Sequence, residues 1–209
     1  MNAERGAIIL CGGRSVRMGR DKALLLFGPD ETLLARVVRI VGGVVLSERI
    51  VCVAADGQEL PALDERVRVV CDDEPDLGPL AALATGLAAL GDEVDAAFVC
   101  GCDAPLLRPE LIQQMFERLG QQQAVMPFQR EQPIPLPAIY RSQVLPIARS
   151  LLSRGERSLK SLAAACDTLR VDVDEFRTID PELTSLWGCN TPEEYRRALA
   201  IAFPDRSDA

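Results

Sequence analysis

The chain has 209 residues, 48% of them hydrophobic and 26% charged, which predicts one globular domain with a sizeable core. Its 31 acidic residues outnumber its 23 basic ones, and the formal net charge of -8 argues against a protein that coats nucleic acid or binds anionic membranes. The chain contains no histidine, which excludes mechanisms that need an imidazole base or a histidine metal ligand. A few local cations would still suffice to bind a small phosphorylated substrate.

The cysteines indicate a reducing compartment. They are odd in number and scattered, and several lie in apolar runs, as expected of small buried residues with free thiols. Cys100 and Cys102 are separated by one residue and have no second pair, which disfavours a zinc site. Residues 1–6 do not resemble a signal peptide or a membrane span. We therefore expect a cytoplasmic protein with no nucleic-acid or membrane partner. The seven cysteines are Cys11, Cys52, Cys71, Cys100, Cys102, Cys166 and Cys189.

Strand-like and helical patterns alternate along the chain, which predicts a mostly parallel sheet covered on both faces by helices. Short apolar and β-branched runs predict strands at residues 7–11, 49–55, 67–71, 96–100, 124–128, 136–140 and 169–173. The corresponding helices are predicted at 32–41, 80–90, 109–119, 144–154, 159–165 and 191–202. Thr32 is a candidate cap for the first helix, and Asn190 or Thr191 for the last.

The most informative segment is residues 10–22, Leu-Cys-Gly-Gly-Arg-Ser-Val-Arg-Met-Gly-Arg-Asp-Lys, where a strand runs into two glycines and then into a polar loop with four cations. Glycines let backbone N–H groups approach an anion, and Arg17 and Lys22 are suited to neutralise a polyphosphate. In an open α/β sheet such a loop lies beyond the carboxyl ends of the strands, where ligands bind. The segment matches neither the Walker loop nor the Gly-x-Gly-x-x-Gly fingerprint.

Three parts of this segment, Leu10-Cys11-Gly12-Gly13, Arg17-Met18-Gly19 and Asp21-Lys22, resemble the signature Leu-Ala-Gly-Gly…Arg-Met-Gly…Asp-Lys. That signature is typical of molybdenum cofactor guanylyltransferases of the MobA type, within the nucleotidyltransferase superfamily with a glycosyltransferase-A-like fold. The resemblance extends from residue 7 to about residue 200. It implies a three-layer, doubly wound, Rossmann-like α/β domain over residues 1–209, with a nucleotide-binding half at about 7–120 and an acceptor-binding half at about 121–203. It also implies nucleotide contacts from Leu10, Cys11, Gly12, Gly13 and Lys22, and catalytic roles for Arg17 and Lys22.

Asp103 follows a buried strand in the sequence Gly101-Cys102-Asp103-Ala104-Pro105. A carboxylate at that strand end faces the same crevice as the glycine loop and is a hard ligand for a magnesium ion that also binds phosphate. Its alternative role is to cap a turn before Pro105. The resemblance implies that Asp103 is a catalytic, nucleotide-contacting magnesium ligand.

Further candidates depend more on the resemblance. It places Asp72 against the nucleotide; the alternative is that Asp72 is only a polar loop residue. It also places Gly78-Pro79 at a helix start whose N–H groups serve the base or sugar; the alternative is an ordinary helix start. Asn190 is a candidate contact for the metal or the acceptor phosphate, or else only a helix cap. The cations of residues 154–158 are candidates for binding the acceptor phosphate, or form a solvated loop.

The chain departs from the family pattern at several positions. Val53 stands where the family has an asparagine, and Cys11 replaces an alanine. Residues 188–194, Gly-Cys-Asn-Thr-Pro-Glu-Glu, resemble the family motif Asn-x-Asn-Thr-Pro-Glu-Glu, with Gly188 in place of its first asparagine. The usual His-Pro-Leu acceptor segment is Ile-Pro-Leu at residues 134–136. These changes affect the expected base and acceptor contacts more than the phosphate and metal contacts.

The resemblance implies that the phosphate of molybdopterin attacks the α-phosphorus of GTP and releases pyrophosphate, with Mg2+ as cofactor. Proteins that deliver the acceptor or receive the product are further candidate partners. A cytidylyltransferase, a sugar-phosphate nucleotidyltransferase and a non-catalytic nucleotide-binding protein remain open as alternatives.

Overall fold

The computed structural model describes residues 4–12, 21–71 and 78–204. Within these ranges the strands belong to one sheet. They are β1 (Arg5–Leu10), β2 (Ile50–Ala54), β3 (Arg68–Cys71), β4 (Ala96–Gly101), β5 (Ala124–Gln129), β6 (Gln132–Pro133), β7 (Ala138–Arg141) and β8 (Thr168–Asp172). The strand order is β3-β2-β1-β4-β7-β5-β6, with β8 beside β5.

Six α-helices accompany the sheet in the described ranges. They are α1 (Leu33–Gly42), α2 (Pro79–Leu90), α3 (Pro109–Arg118), α4 (Leu145–Ser153), α5 (Leu159–Ala165) and α6 (Pro192–Ala202). Short 3-10 helices include Lys22–Leu24 and Thr184–Leu186. In the part of the chain that the structure describes, no helix is long and apolar enough to cross a bilayer.

Alternate residues of β1 face opposite sides of the sheet, as the two-residue period of a strand requires. Ile9 packs in an apolar cluster that includes residues of α1 and α3, whereas Ile8 packs in a second cluster that includes residues of α2, α4 and α5. β1 and β2 are consequently buried on both faces. The expected three-layer α/β architecture is therefore confirmed.

The first four strands pair in parallel throughout, as the alternation of strand and helix predicts. The second half of the chain is mixed, because β7 runs antiparallel to both β4 and β5. The strand expected at residues 136–140 begins only at Ala138, since Pro135 and Pro137 have no N–H to donate to a sheet. Because β7 lies between β4 and β5, residues after 120 extend the same sheet, and the division into two binding halves stays a prediction.

All seven cysteines are free, as expected, and five of them are buried. Burial raises the pKa of the Cys189 thiol to about 12 and that of Cys100 well above its ordinary value. Cys166 is half-buried, and Cys71, which ends the edge strand β3, is exposed. The buried thiols therefore act as small apolar side chains in this fold.

Candidate functional site

The candidate site lies at the carboxyl ends of the central parallel strands. The N–H of Cys102 donates to the carbonyl of Leu10 at 3.0 Å, so the segments that leave β1 and β4 run side by side. The N–H groups of Cys11 and Gly12 donate to the carbonyl of Val53 at 2.8 and 3.3 Å. Both amides therefore have a protein partner, so they do not form an open anion site in this structure.

Lys22, Asp103 and Asn190 meet at this edge. The Lys22 ammonium donates to Asp103 Oδ2 at 2.7 Å and to Asn190 Oδ1 at 2.8 Å. The side chains of Lys22 and Asp103 are 17% and 21% exposed, so this ion pair is largely buried but can still be reached from solvent. Two residues that the sequence placed in one crevice are thus in direct contact, and Asn190 joins them.

The backbone around Lys22 is fixed by its neighbours. Asp21 caps the 3-10 helix Lys22–Leu24, and its Oδ1 accepts the N–H of Ala23 at 2.9 Å. Ala23 is fully buried among the apolar side chains that also pack against α1. The capping carboxylate and the buried methyl group together hold the lysine at the rim of the sheet.

Gln58 ties together the two described ends of the glycine loop. Its Nε2 donates to the carbonyl of Cys11 at 3.1 Å and to Asp21 Oδ2 at 2.8 Å. Its Oε1 accepts the N–H of Ala55 at 2.9 Å, which anchors the side chain just beyond β2. Sequence reasoning missed this residue, because a single glutamine in a polar loop has no pattern that distinguishes it.

Replacing Gln58 with alanine is expected to raise the KM for the nucleotide about tenfold, because Cys11 and Asp21 lose the hydrogen bonds that hold them beside β2. The loss of about one or two net hydrogen bonds corresponds to that change. Steady-state kinetics with the nucleotide varied would measure it, and the exposed Gln113→Ala on α3 is the matched control. An unchanged KM in Gln58→Ala would show that the hydrogen bonds of Gln58 to Cys11 and Asp21 do not contribute to nucleotide binding.

Two glycines leave the Asp103 carboxylate uncovered. A Cβ on Gly101 would lie 2.5 Å from Asp103 Oδ1, and one on Gly188 would lie 3.3 Å from both carboxylate oxygens. Space that a side chain would fill therefore remains beside Asp103, and it fits a small hard cation. No group of three or more candidate ligands occurs within the described residues. A cation here would rely on Asp103, with Asn190 as a second candidate ligand, and on oxygens of the substrate.

Gly188→Ala is expected to raise the concentration of divalent cation needed for half-maximal activity about tenfold, because a small displacement of a site group has a large kinetic effect. The added methyl group would press on the Asp103 carboxylate and on Asn190 Nδ2, 3.2 Å away. A titration of activity against Mg2+ would test this. Gly42→Ala serves as the control, since its Cβ would meet only Ile50 Cδ1 at 4.0 Å. Identical titrations for both variants would contradict the prediction.

Asn190 is held in place by the start of α6. Its N–H and that of Thr191 both donate to Glu194 Oε2, at 2.7 and 3.0 Å, while the N–H of Glu194 donates to Thr191 Oγ1. Thr191 is therefore the cap, and the interpretation of Asn190 as the cap is wrong. The N–H of Cys189 donates to the carbonyl of Asp103 at 2.8 Å, which joins this segment to the end of β4.

The other expected site residues lie elsewhere. Gly13, Arg17 and Asp72 are outside the described residues. Gly78 adopts φ +79° immediately before α2, and a Cβ there would lie 3.1 Å from the carbonyl oxygen of Arg157. Pro79 has no N–H, and the N–H of Leu80 donates to that same carbonyl at 3.3 Å. The first amide of α2 therefore already has a protein partner, so the prediction that it serves the base or sugar does not fit the structure. Of the cations at residues 154–158, Arg157 contacts the start of α2.

The fold and the family comparison together define a nucleotidyltransferase of the α/β class, with a lysine and a carboxylate in contact at the carboxyl edge of its sheet. The chain belongs to the family described as the MobA-like NTP transferase domain, whose model matches residues 7–172.

Relatives and solved structures agree with this assignment. The chain is 34% identical to a probable molybdenum cofactor guanylyltransferase of Methanosarcina mazei, over 95% of this chain and 91% of that protein. It is 38% identical to one of Mycobacterium tuberculosis, over 88% and 91%. The fold is similar to that of molybdopterin-guanine dinucleotide biosynthesis protein A from Archaeoglobus fulgidus, with a TM-score of 0.76, 21% identity and coverage of 95% and 98%. It is also similar to that of a 4-diphosphocytidyl-2C-methyl-D-erythritol synthase from Anaerococcus prevotii, with a TM-score of 0.72, 14% identity and coverage of 96% of each chain.

Proposed function

We propose that this protein transfers GMP from GTP to the terminal phosphate of molybdopterin, with Mg2+ as cofactor, and releases pyrophosphate. The observation that carries this proposal is the contact of Lys22 with Asp103 and Asn190 at the carboxyl edge of the sheet. The names of the relatives support guanine as the base and the molybdenum cofactor as the acceptor.

The reaction joins two anions, so charge repulsion is its main barrier. An oxygen of the acceptor phosphate forms a bond to the α-phosphorus of GTP, and the bond from that phosphorus to the bridging oxygen of the β-phosphate breaks. The electron pair of the broken bond leaves with pyrophosphate. Lys22 is held at the edge of the sheet by the Asp21 cap, where its charge can offset the charge that develops on these oxygens.

No strong general base is required. The second pKa of a phosphate monoester is about 6, so the acceptor is largely a dianion near neutral pH. The lack of histidine in this chain is compatible with such a nucleophile. The contribution of the protein is then alignment of the two substrates and neutralisation of charge.

Asp103 is the residue that would hold the magnesium ion, because the glycines beside it leave its carboxylate uncovered. Mg2+ typically binds proteins through one or two carboxylates and takes substrate phosphates as further ligands. When bound, the ion would polarise phosphoryl oxygens of GTP and offset their charge. Asn190 orients the Lys22 ammonium through its Oδ1.

The nucleotide is proposed to lie over the ends of β1 and β2. The candidate nucleotide contacts are Leu10, Cys11, Gly12, Gly13, Lys22, Asp72 and Asp103, and Arg17 is a further catalytic cation. Gly12 lets the chain pass close to the end of β2, where a Cβ would be 3.3 Å from the N atom of Ala55.

The test is to incubate the purified protein with Mg2+, molybdopterin and GTP, CTP or ATP in turn, and to measure pyrophosphate release and the dinucleotide product. We expect GTP to give product with a kcat/KM at least about tenfold above CTP and ATP. Glucose 1-phosphate as acceptor should give none. A preference for CTP would replace guanylyl by cytidylyl transfer, and turnover of the sugar phosphate would replace the acceptor. No pyrophosphate with any pair would overturn the proposal in favour of a non-catalytic nucleotide-binding protein.

A further inference from the structure

A cavity of about 350 Å³ opens beside the candidate site, on the side of α6. Gly188 and Asn190 line it and also border the Asp103 carboxylate or contact Lys22. The cavity is therefore continuous with the place where phosphoryl transfer is proposed. Further lining residues are Pro105, Leu106, Leu186, Trp187, Glu194 and Arg197.

The lining has the chemistry of a site for a flat, polar ring. The indole of Trp187 is partly exposed, and the guanidinium carbon of Arg197 lies 4.1 Å from the centre of the indole ring. Leu106 and Leu186 add apolar surface, while the carboxylate of Glu194 is a candidate acceptor for ring N–H groups. An aromatic face, a planar cation and a few polar groups in a cavity of this size are typical of sites that bind heteroaromatic ligands.

The position of the cavity indicates which substrate it serves. Its lining, within the described residues, includes none from β1, β2, β3 or α2, the elements where the nucleotide is proposed to lie. It is formed instead by the segment after β4, by the segment that leads into α6 and by α6 itself. The nucleotide and the occupant of this cavity can therefore approach Asp103 from different sides at the same time.

We infer that this cavity binds the ring system of the acceptor, a pterin-type heterocycle that carries the attacking phosphate, with Trp187 and Arg197 as its stacking partners. The inference rests on the proposed function and assigns its acceptor subsite. A ring seated against Trp187 has its phosphate-bearing side chain directed past Gly188 and Asn190 towards Lys22. Trp187 and Arg197 are then binding residues for the acceptor and do not contact the nucleotide.

The protein carries its own reporter for this site, because Trp187 is the single tryptophan of the chain. Titration with neopterin monophosphate, a pterin with a phosphorylated side chain, is expected to quench the tryptophan emission saturably. Free N-acetyltryptophanamide corrects for absorption by the probe. Saturating GTP with Mg2+ should leave the affinity for the probe within about threefold. Competition by GTP for the probe would assign the cavity to the nucleotide and overturn the inference.

Variants of Trp187 and Arg197 test whether these two side chains bind the pterin ring. Arg197→Ala should weaken binding of neopterin monophosphate at least about tenfold, and Trp187→Leu should raise the KM for molybdopterin by a similar factor without changing the KM for GTP. The adjacent Arg196→Ala is the matched control, since Arg196 pairs with Glu193 on the surface of α6 and does not line the cavity. Circular dichroism would establish that each variant is folded.

The outcomes distinguish this inference from the proposed function. Suppose that the wild-type protein turns over molybdopterin, and that Arg197→Ala and Trp187→Leu change neither the affinity for the probe nor the KM for molybdopterin. This result would overturn the acceptor subsite and leave the proposed function standing. Conversely, the pterin could quench the emission saturably, and more weakly in Arg197→Ala, while the protein forms no dinucleotide. This result would retain the pterin site and overturn the proposed function.

Discussion

Replacement of Lys22 with methionine is expected to lower kcat/KM for nucleotidyl transfer by about a thousandfold, at the upper end of what removing one preorganised stabilising group costs. Methionine keeps much of the apolar stem, so the loss would report the ammonium itself. That ammonium is the group in contact with both Asp103 and Asn190. A pyrophosphate-release assay at saturating Mg2+ would measure the effect, with KM and kcat determined separately for GTP.

The chain offers a close control for this variant, because Lys22 and Lys160 are its only lysines. Lys160 is exposed on α5, so Lys160→Met should retain full activity. Thermal unfolding would show whether Lys22→Met remains folded. Activity of Lys22→Met within about fivefold of wild type would contradict the role that we propose for Lys22.

Asp103→Asn is the second change with a large expected effect. The amide is nearly the same size as the carboxylate but carries no charge, so the candidate cation ligand is lost while the local packing is kept. We expect kcat to fall about a thousandfold and the Mg2+ requirement of the residual activity to shift to much higher concentration. Calorimetric titration of GTP in the presence and absence of Mg2+ would measure the loss of metal-dependent binding independently of turnover.

Asp64→Asn is the matched control for the carboxylate. Asp64 lies on the surface, where it pairs with Arg66 two residues along the chain, and its neutralisation should not change transfer. Because Lys22 and Asp103 act as one unit, the double variant Lys22→Met with Asp103→Asn should be little worse than either single variant. Effects that multiply in the double variant would mean that the two side chains act independently.

The sequence identifies Lys22 and Asp103 because each lies in a short motif that indicates a function by itself. Lys22 ends a glycine- and cation-rich loop after a buried strand, and Asp103 directly follows another buried strand. Parallel strands place their carboxyl ends at one edge, so two local signals are enough to predict one shared site. The same reasoning predicts the three-layer fold, because alternating strands and helices have few ways to cover both faces of a sheet.

Other features depend on contacts between distant segments and leave no local signal. Gln58 is one polar residue in a loop, and its role becomes visible only when Cys11 and Asp21 lie beside it. The sequence does not predict that β7 lies antiparallel between β4 and β5. The prolines before it obscure the start of the strand, and the pattern of one strand does not specify its pairing partners. The stacking of Arg197 on Trp187 likewise depends on how α6 folds back against the segment before it.

The long separations within the cluster have a consequence for shortened forms of the chain. Lys22 contacts Asp103 across 81 positions and Asn190 across 168 positions. The last strand that the structure describes ends at Asp172, so every described strand precedes Asn190 in the sequence. A product of premature termination or proteolytic cleavage between Asp172 and Trp187 would keep every strand yet lack the amide that contacts Lys22. The sheet alone therefore does not complete the cluster, which also needs a segment beyond the last described strand.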